Sequence, residues 1–129
     1  MPPLPNDFNN AFNVLIVTFF VNNPLIKVRT ILDNSLLEKA ISPGDIAIDA
    51  TVGNGHDTLY LTKLVGEQGH VYGFDIQEQA IEQTKKRLIE NQADQQVTLF
   101  LNSHDQLTAV LPESSKGKVT AAIFNLGYL

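Results

Sequence analysis

The chain has 129 residues, of which 43% are hydrophobic and 18% are charged, and its formal net charge is −5. This composition predicts one globular domain with its own core and differs from that of a disordered chain. The absence of cysteine excludes disulfides, thiolate metal sites and a cysteine nucleophile. His56, His70 and His104 do not have metal-ligand spacing, so we expect no metal site. The acidic balance gives no support to nucleic-acid binding, which usually requires a basic face.

The first 25 residues differ in pattern from the rest of the chain. They begin with the proline-rich segment 1–5 and contain the apolar run 11–21. This run is about half the ~20 residues that a transmembrane helix requires, and it lacks the basic flank and cleavage pattern of a secretory signal. We expect residues 1–25 to be an extension of unknown role, either a packing segment or one that adds nothing to the fold, and we expect no membrane partner.

Helical and strand patterns alternate from Ile26 onwards. Apolar residues at three- and four-residue spacing predict a first helix that ends before Pro43. Apolar runs predict four strands, at 46–50, 71–74, 97–101 and 119–124. Three helices are predicted between these strands: one capped by Asp57 or Thr58, one from about Gln77 to Asn91, and a short one ending at Pro112. This alternation predicts an α/β, Rossmann-like domain with a parallel sheet and helices on both faces.

A turn with two glycines follows the first predicted strand. Asp49 ends the strand, and Gly53-Asn54-Gly55 comes directly before the next helix. Such a turn presents backbone to a ligand at the carboxyl edge of a doubly wound sheet. A dinucleotide turn requires G-x-G-x-x-G, but the third glycine is replaced by Thr58. A carboxylate at Asp49 would crowd a pyrophosphate, whereas it can accept a hydrogen bond from an ammonium group.

Asp75 ends the second predicted strand. From that position its two oxygens can accept from both hydroxyls of a ribose, and Gln77 is within reach of the same sugar. Ser103 and His104 leave the third strand on the same rim and could reach an adenine edge, although a helix cap or loop hydrogen bond explains them equally well. The ordered set of acid, G-x-G and second acid indicates a nucleoside with an amino-acid tail and no phosphate, which describes S-adenosylmethionine.

Four segments carry a resemblance to a known family. DATVGNGHDTLYL, GFDIQEQAIEQT, LNSHD and AAIFNLGYL resemble the class I methyltransferases of the "Putative rRNA methylase" family, and the combination of GNGHDT with FNLGYL is specific. The resemblance covers residues 26–129. Members of that family are associated with methylation of the amine of 5-aminomethyl-2-thiouridine at the tRNA wobble position. The resemblance therefore implies a class I fold, a cytoplasmic enzyme and an RNA substrate, with tRNA favoured over rRNA.

The resemblance also implies roles for individual residues. The implied contacts to S-adenosylmethionine are at Asn54, Asp57, Asp75, Gln77, Ser103 and His104, and residues 125–128 are implied to line the methyl-acceptor pocket. Within that segment, we expect Asn125 to orient the acceptor amine and Tyr128 to stack on a uracil-type base. For Tyr128, simple packing near the end of the chain is the open alternative.

The family continues beyond FNLGYL with a Pro-Gly-Gly segment and further strands, whereas this chain ends at Leu129. The last predicted strand would then be an uncovered sheet edge. We therefore expect an incomplete sheet of about four strands, forming the cofactor-binding N-terminal part of a longer domain. The alternatives are an rRNA methyltransferase, a catalytically incomplete cofactor-binding fragment and a nicotinamide-binding oxidoreductase, and a homodimer is the assembly considered.

Overall fold

The structure is a computed structural model, and it describes residues 15–19, 34–103, 106–115 and 119–125. The strands are β1 (Leu15–Phe19), β2 (Ile46–Asp49), β3 (His70–Asp75), β4 (Val97–Leu101) and β5 (Val119–Asn125). The helices are α1 (Asn34–Ala40), α2 (His56–Val65), α3 (Glu78–Glu90) and α4 (Leu107–Val110), with short 3-10 turns at Asp94–Gln96 and Glu113–Ser115. The predicted helical residues 26–33 lie outside the described residues.

Within the described residues, the strands form one five-stranded parallel sheet in the order β1-β5-β2-β3-β4. Helices α2, α3 and α4 connect successive strands from β2 to β5. Because all strands are parallel, their carboxyl ends meet at one edge of the sheet. Asp49 and Asp75, which end the neighbouring strands β2 and β3, therefore lie at the same edge. The α/β, Rossmann-like fold predicted from the sequence is confirmed.

The N-terminal segment contributes a strand that the sequence pattern did not predict. β1 pairs in parallel with β5, from Leu15 opposite Ala121 to Phe19 opposite Asn125. The structure thus differs from the expectation of four strands with an uncovered edge at β5. The apolar run has a composition typical of strands, but periodicity alone cannot separate a buried strand from a buried helix. The domain boundary after residue 25 stays a prediction.

The core lies on both faces of the sheet. On one face, helices α1 and α2 pack Leu37, Leu61 and Val65 against strand residues such as Ala47. The other face holds a second cluster, which contains Ile48, Phe74, Leu111 and Ala122. Because neighbouring residues of β2 face opposite sides, the whole strand is apolar until it reaches Asp49.

The start of α2 differs from the prediction in one respect. The helix is capped by Gly55, which makes no side-chain cap, and not by Asp57 or Thr58. Thr58 is fully buried, and its hydroxyl is bonded to Asp49 instead. The helix ends before Gly66 as predicted. None of the described helices is long and apolar enough to cross a membrane.

Removing residues 1–19 should destabilise the sheet more than removing residues 1–14. The longer deletion strips β1 from β5 and exposes the backbone hydrogen-bonding groups of that strand, whereas the shorter deletion retains the pairing. We expect a lower urea midpoint and concentration-dependent self-association for the longer deletion, measured by circular dichroism and sedimentation. Equal stability and equal association of the two deletions would contradict the pairing of β1 with β5.

Candidate functional site

The glycine turn, residues 50–55, joins β2 to α2 at the carboxyl edge of the sheet. Gly53 and Gly55 have φ angles of 54° and 88°. These are left-handed conformations that side-chain-bearing residues rarely adopt, which explains the two glycines of the motif. The Ala50 N–H donates to the Ile123 carbonyl at 2.8 Å, so the neighbouring strand β5 holds the beginning of the turn.

Asp75 is the acid that ties β3 to the glycine turn. It ends β3 and is 8% exposed. Its Oδ2 accepts from the Gly53 N–H at 3.1 Å, and its Oδ1 accepts from the Gln77 N–H at 2.9 Å. A carboxylate oxygen has two lone pairs, so each oxygen can accept one further hydrogen bond from a ligand. The structure therefore brings Gly53, Asp75 and Gln77 together, as the sequence predicts.

Asp49 is the second acid at this edge, and it is 1% exposed. Its Oδ2 accepts from the Thr58 hydroxyl at 2.7 Å, and its Oδ1 accepts from the Thr51 N–H at 3.1 Å. Burial raises the pKa of Asp49 from 3.8 to about 7; the Thr58 hydrogen bond opposes this rise, and the nearby Asp57 adds to it. A cationic ligand group beside Asp49 would favour its charged form.

Thr58 has a role that sequence reasoning missed. From the sequence alone, Thr58 is a candidate helix cap and the replacement for a third glycine. In the structure it is the buried partner of Asp49, nine residues away along the chain. Only the packing of α2 against β2 brings the two side chains together, so no local periodicity could reveal the bond. Where a dinucleotide turn has a third glycine for close packing of helix and strand, this chain has a threonine that hydrogen-bonds Asp49.

The end of β4 lies on the same rim. The Asn102 N–H donates to the backbone carbonyl of Asp75 at 2.9 Å, and the half-buried Ser103 donates its N–H to the Asn102 side chain at 2.9 Å. Ser103 thus follows β4 on the same rim of the sheet as Asp75, as predicted. Asp57 lies half-buried in the first turn of α2, and Asn54 is exposed at the tip of the glycine turn.

Three predicted site residues are only partly described or not described. Asn125 is the last residue of β5, so its backbone lies at the carboxyl edge of the sheet, but its side chain is not described. His104 and Tyr128 lie outside the described residues. In the part of the chain that the structure describes, no group of three or more His, Cys, Asp or Glu residues could hold a metal ion.

Helix α3 contacts the glycine turn through Thr84 and Arg87, which are not among the site residues predicted from the sequence. The Thr84 hydroxyl donates to the Gly53 carbonyl at 3.0 Å, and the Arg87 Nε donates to the Asn54 carbonyl at 2.8 Å. These bonds span 31 and 33 residues, so no spacing rule could have found them.

Comparison with known proteins identifies similar methyltransferases. Residues 71–129 match the family described as "Putative rRNA methylase". The "tRNA (mnm(5)s(2)U34)-methyltransferase, chloroplastic" of Arabidopsis thaliana is 39% identical over 111 residues, which cover 80% of this chain and 40% of the relative. The crystal structure of a "putative rRNA-methylase" from Clostridium thermocellum is 38% identical, with a TM-score of 0.63 over 67% of this chain and 49% of that one. A SAM-dependent methyltransferase from Aquifex aeolicus is 27% identical, with a TM-score of 0.50 over 54% of this chain and 37% of that one.

These similarities confirm the resemblance to the class I methyltransferases that the sequence motifs indicate. The chain spans less than half the length of each of these relatives, between 37% and 49%. The family match begins at residue 71 and therefore includes Asp75.

The buried carboxyl of Asp49 should make the protein less stable as the pH rises from about 4 to about 7. In this window the folded protein keeps a proton that the unfolded chain releases, so the free energy of unfolding falls with increasing pH. This group can contribute a slope of at most about 1.4 kcal/mol per pH unit. Asp49→Asn should remove that component, as measured by urea unfolding across the window.

Asp94→Asn is the control, because it removes an acid from the 3-10 turn and not from the site. If the free energy of unfolding changes equally with pH in Asp49→Asn and Asp94→Asn, Asp49 is not a buried acid with a raised pKa.

Proposed function

We propose that this chain is the cofactor-binding part of an S-adenosylmethionine-dependent RNA methyltransferase. The observation that carries the proposal is the pair of buried acids at adjacent strand ends, Asp49 and Asp75, both next to one glycine turn. The names of the similar proteins from Arabidopsis thaliana and Aquifex aeolicus support the reaction class.

The chemistry of the acid pair fits S-adenosylmethionine better than a dinucleotide. Asp75 has oxygens at the rim that can accept from ribose hydroxyls, and Asp49 can accept from the ammonium group of an amino-acid tail. Both acids accept hydrogen bonds from the turn, Asp49 from the Thr51 N–H and Asp75 from the Gly53 N–H, so a ligand that reaches both acids lies next to the turn. A pyrophosphate would instead bring negative charge next to two acids, which would further oppose the ionisation of the buried Asp49.

Methyl transfer requires the protein mainly to align the reactants. When bound, S-adenosylmethionine would supply an activated methyl group on its sulfonium, so the acceptor amine would need only to be neutral and in line with it. Alignment of this kind can lower a barrier by about 7–11 kcal/mol. We assign orientation of the acceptor amine to Asn125, at the end of β5, and stacking on the acceptor base to Tyr128.

The substrate we propose is the aminomethyl group of a tRNA wobble 2-thiouridine. The name of the Arabidopsis thaliana relative supports this substrate, and its identity of 39% is the highest among the proteins compared above. The description of the matching family favours rRNA as the second candidate. A cytoplasmic location and a homodimer stay predictions.

Calorimetric titration should detect binding of S-adenosylmethionine and not of NAD. Asp75→Asn should weaken the binding of S-adenosylmethionine by at least about tenfold, or about 1.4 kcal/mol. An amide has one acceptor oxygen, whereas the carboxylate accepts from two backbone N–H groups and is proposed to accept from the ribose as well. Asp94→Asn should bind like the unaltered chain. Tighter binding of NAD than of S-adenosylmethionine would contradict the proposal.

Transfer of a labelled methyl group should distinguish the RNA substrates. We expect labelling of tRNA that carries 5-aminomethyl-2-thiouridine and no labelling of tRNA without the aminomethyl group. Labelling of rRNA alone would favour the second candidate. If the chain binds S-adenosylmethionine but labels neither RNA, the cofactor-binding fragment is the correct alternative.

A further inference from the structure

Helix α3 holds two successive carbonyl groups of the glycine turn. The Gly53 carbonyl accepts from the Thr84 hydroxyl, and the Asn54 carbonyl accepts from the Arg87 Nε. The helix also approaches the turn closely. A Cβ atom added to Gly55 would lie only 3.0 Å from Thr84 Oγ1 and 3.1 Å from Thr84 Cα. The turn is therefore in contact with α3 as well as with the strands.

These two bonds determine which way the peptide groups of the turn face. In a trans peptide the carbonyl and the N–H point in opposite directions. Because the Gly53 carbonyl faces α3, the N–H of Asn54 in the same peptide points away from the helix. Because the Asn54 carbonyl also faces α3, the N–H of Gly55 points back into the turn, where it donates to the Val52 carbonyl at 2.8 Å.

The hydroxyl of Thr84 has a specific partner that packing alone would not require. Thr84 is 0% exposed, and a valine would fill nearly the same volume. A buried hydroxyl group needs a hydrogen-bond partner, and the partner of the Thr84 hydroxyl is the Gly53 carbonyl. Thr84 therefore links α3 to the glycine turn, and the conformation of the turn depends on this link.

We infer that Thr84 and Arg87 are positioning residues that act on the cofactor through the glycine turn. They hold the turn in the conformation that binds the cofactor. They turn the Asn54 N–H away from α3 as a donor to the carboxylate of the ligand's amino-acid part. This inference rests on the proposed function for the identity of the ligand, but the preorganisation of the turn can be measured without a ligand.

The first experiment compares Thr84→Val with Thr84→Ser. Thr84→Val keeps the shape and removes the donor, and we expect it to weaken the binding of S-adenosylmethionine about tenfold. It should also speed the hydrogen exchange of the Gly53 and Gly55 N–H groups in the ligand-free chain, because both groups are hydrogen-bonded within the held conformation. Thr84→Ser keeps the hydroxyl and should show the affinity and the exchange rates of the unaltered chain.

Thr62→Val is the matched control for the loss of a buried threonine hydroxyl. Thr62 is 2% exposed, and its hydroxyl donates to the Leu59 carbonyl within α2. A general loss of stability would appear in both valine variants as a lower melting temperature. Only Thr84→Val should change the affinity and the exchange of the turn.

A second pair of variants tests Arg87 at the surface, where misfolding is not expected. Arg87→Met removes the bond to the Asn54 carbonyl, and Lys86→Met removes the same charge from the same groove, a cavity of about 570 Å³ that both residues line. We expect weaker binding for Arg87→Met only. Equal effects of the two variants would assign the change to lost charge and overturn the role of Arg87.

The outcomes separate this inference from the proposed function. If the unaltered chain does not bind S-adenosylmethionine, the proposed function fails, and exchange in the ligand-free variants still decides whether α3 holds the turn. If the unaltered chain binds and Thr84→Val binds equally well, the positioning role is overturned, whatever the exchange rates. Faster exchange together with weaker binding, both reversed by Thr84→Ser, is the result we expect.

Discussion

The burial of two acids at the carboxyl edge of one parallel sheet is the constraint on which the site depends. Parallel pairing of β2 with β3 puts Asp49 and Asp75 at the ends of neighbouring strands. Both are almost completely buried, and the surrounding protein opposes ionisation of Asp49. Buried carboxyl groups are retained only if hydrogen bonds offset part of their desolvation. Thr58 and the backbone of the glycine turn provide those bonds.

The same bonds give the turn its shape. Asp75 holds the Gly53 N–H on one side, and helix α3 holds the carbonyl groups of Gly53 and Asn54 on the other. The left-handed glycines permit this path without strain from a side chain. A ligand with a cationic amino group would stabilise the charged form of Asp49, so the unfavourable burial of this acid in the free chain becomes favourable in the proposed complex.

The elements of the fold and the acid pair could be predicted from local patterns, because apolar runs and strand-end acids are local in the sequence. Strands β2 to β5 begin and end within one residue of their predicted positions. The pairing of β1 with β5, the bond between Thr58 and Asp49, and the contacts of Thr84 and Arg87 were not predictable in this way. Each of them joins residues that are distant in the chain, and such contacts are formed by tertiary packing and leave no periodic signal.

The two acids and the glycine turn together form the proposed binding site for one molecule of S-adenosylmethionine. A crystal structure of the chain with S-adenosylhomocysteine, the demethylated form of the cofactor, would show whether the ligand binds there. We expect the ribose hydroxyls to bind the Asp75 carboxylate, the amino group of the ligand to lie beside Asp49, and the ligand carboxylate to accept from the Asn54 N–H. A ligand bound away from the carboxyl edge of the sheet would contradict the proposed site.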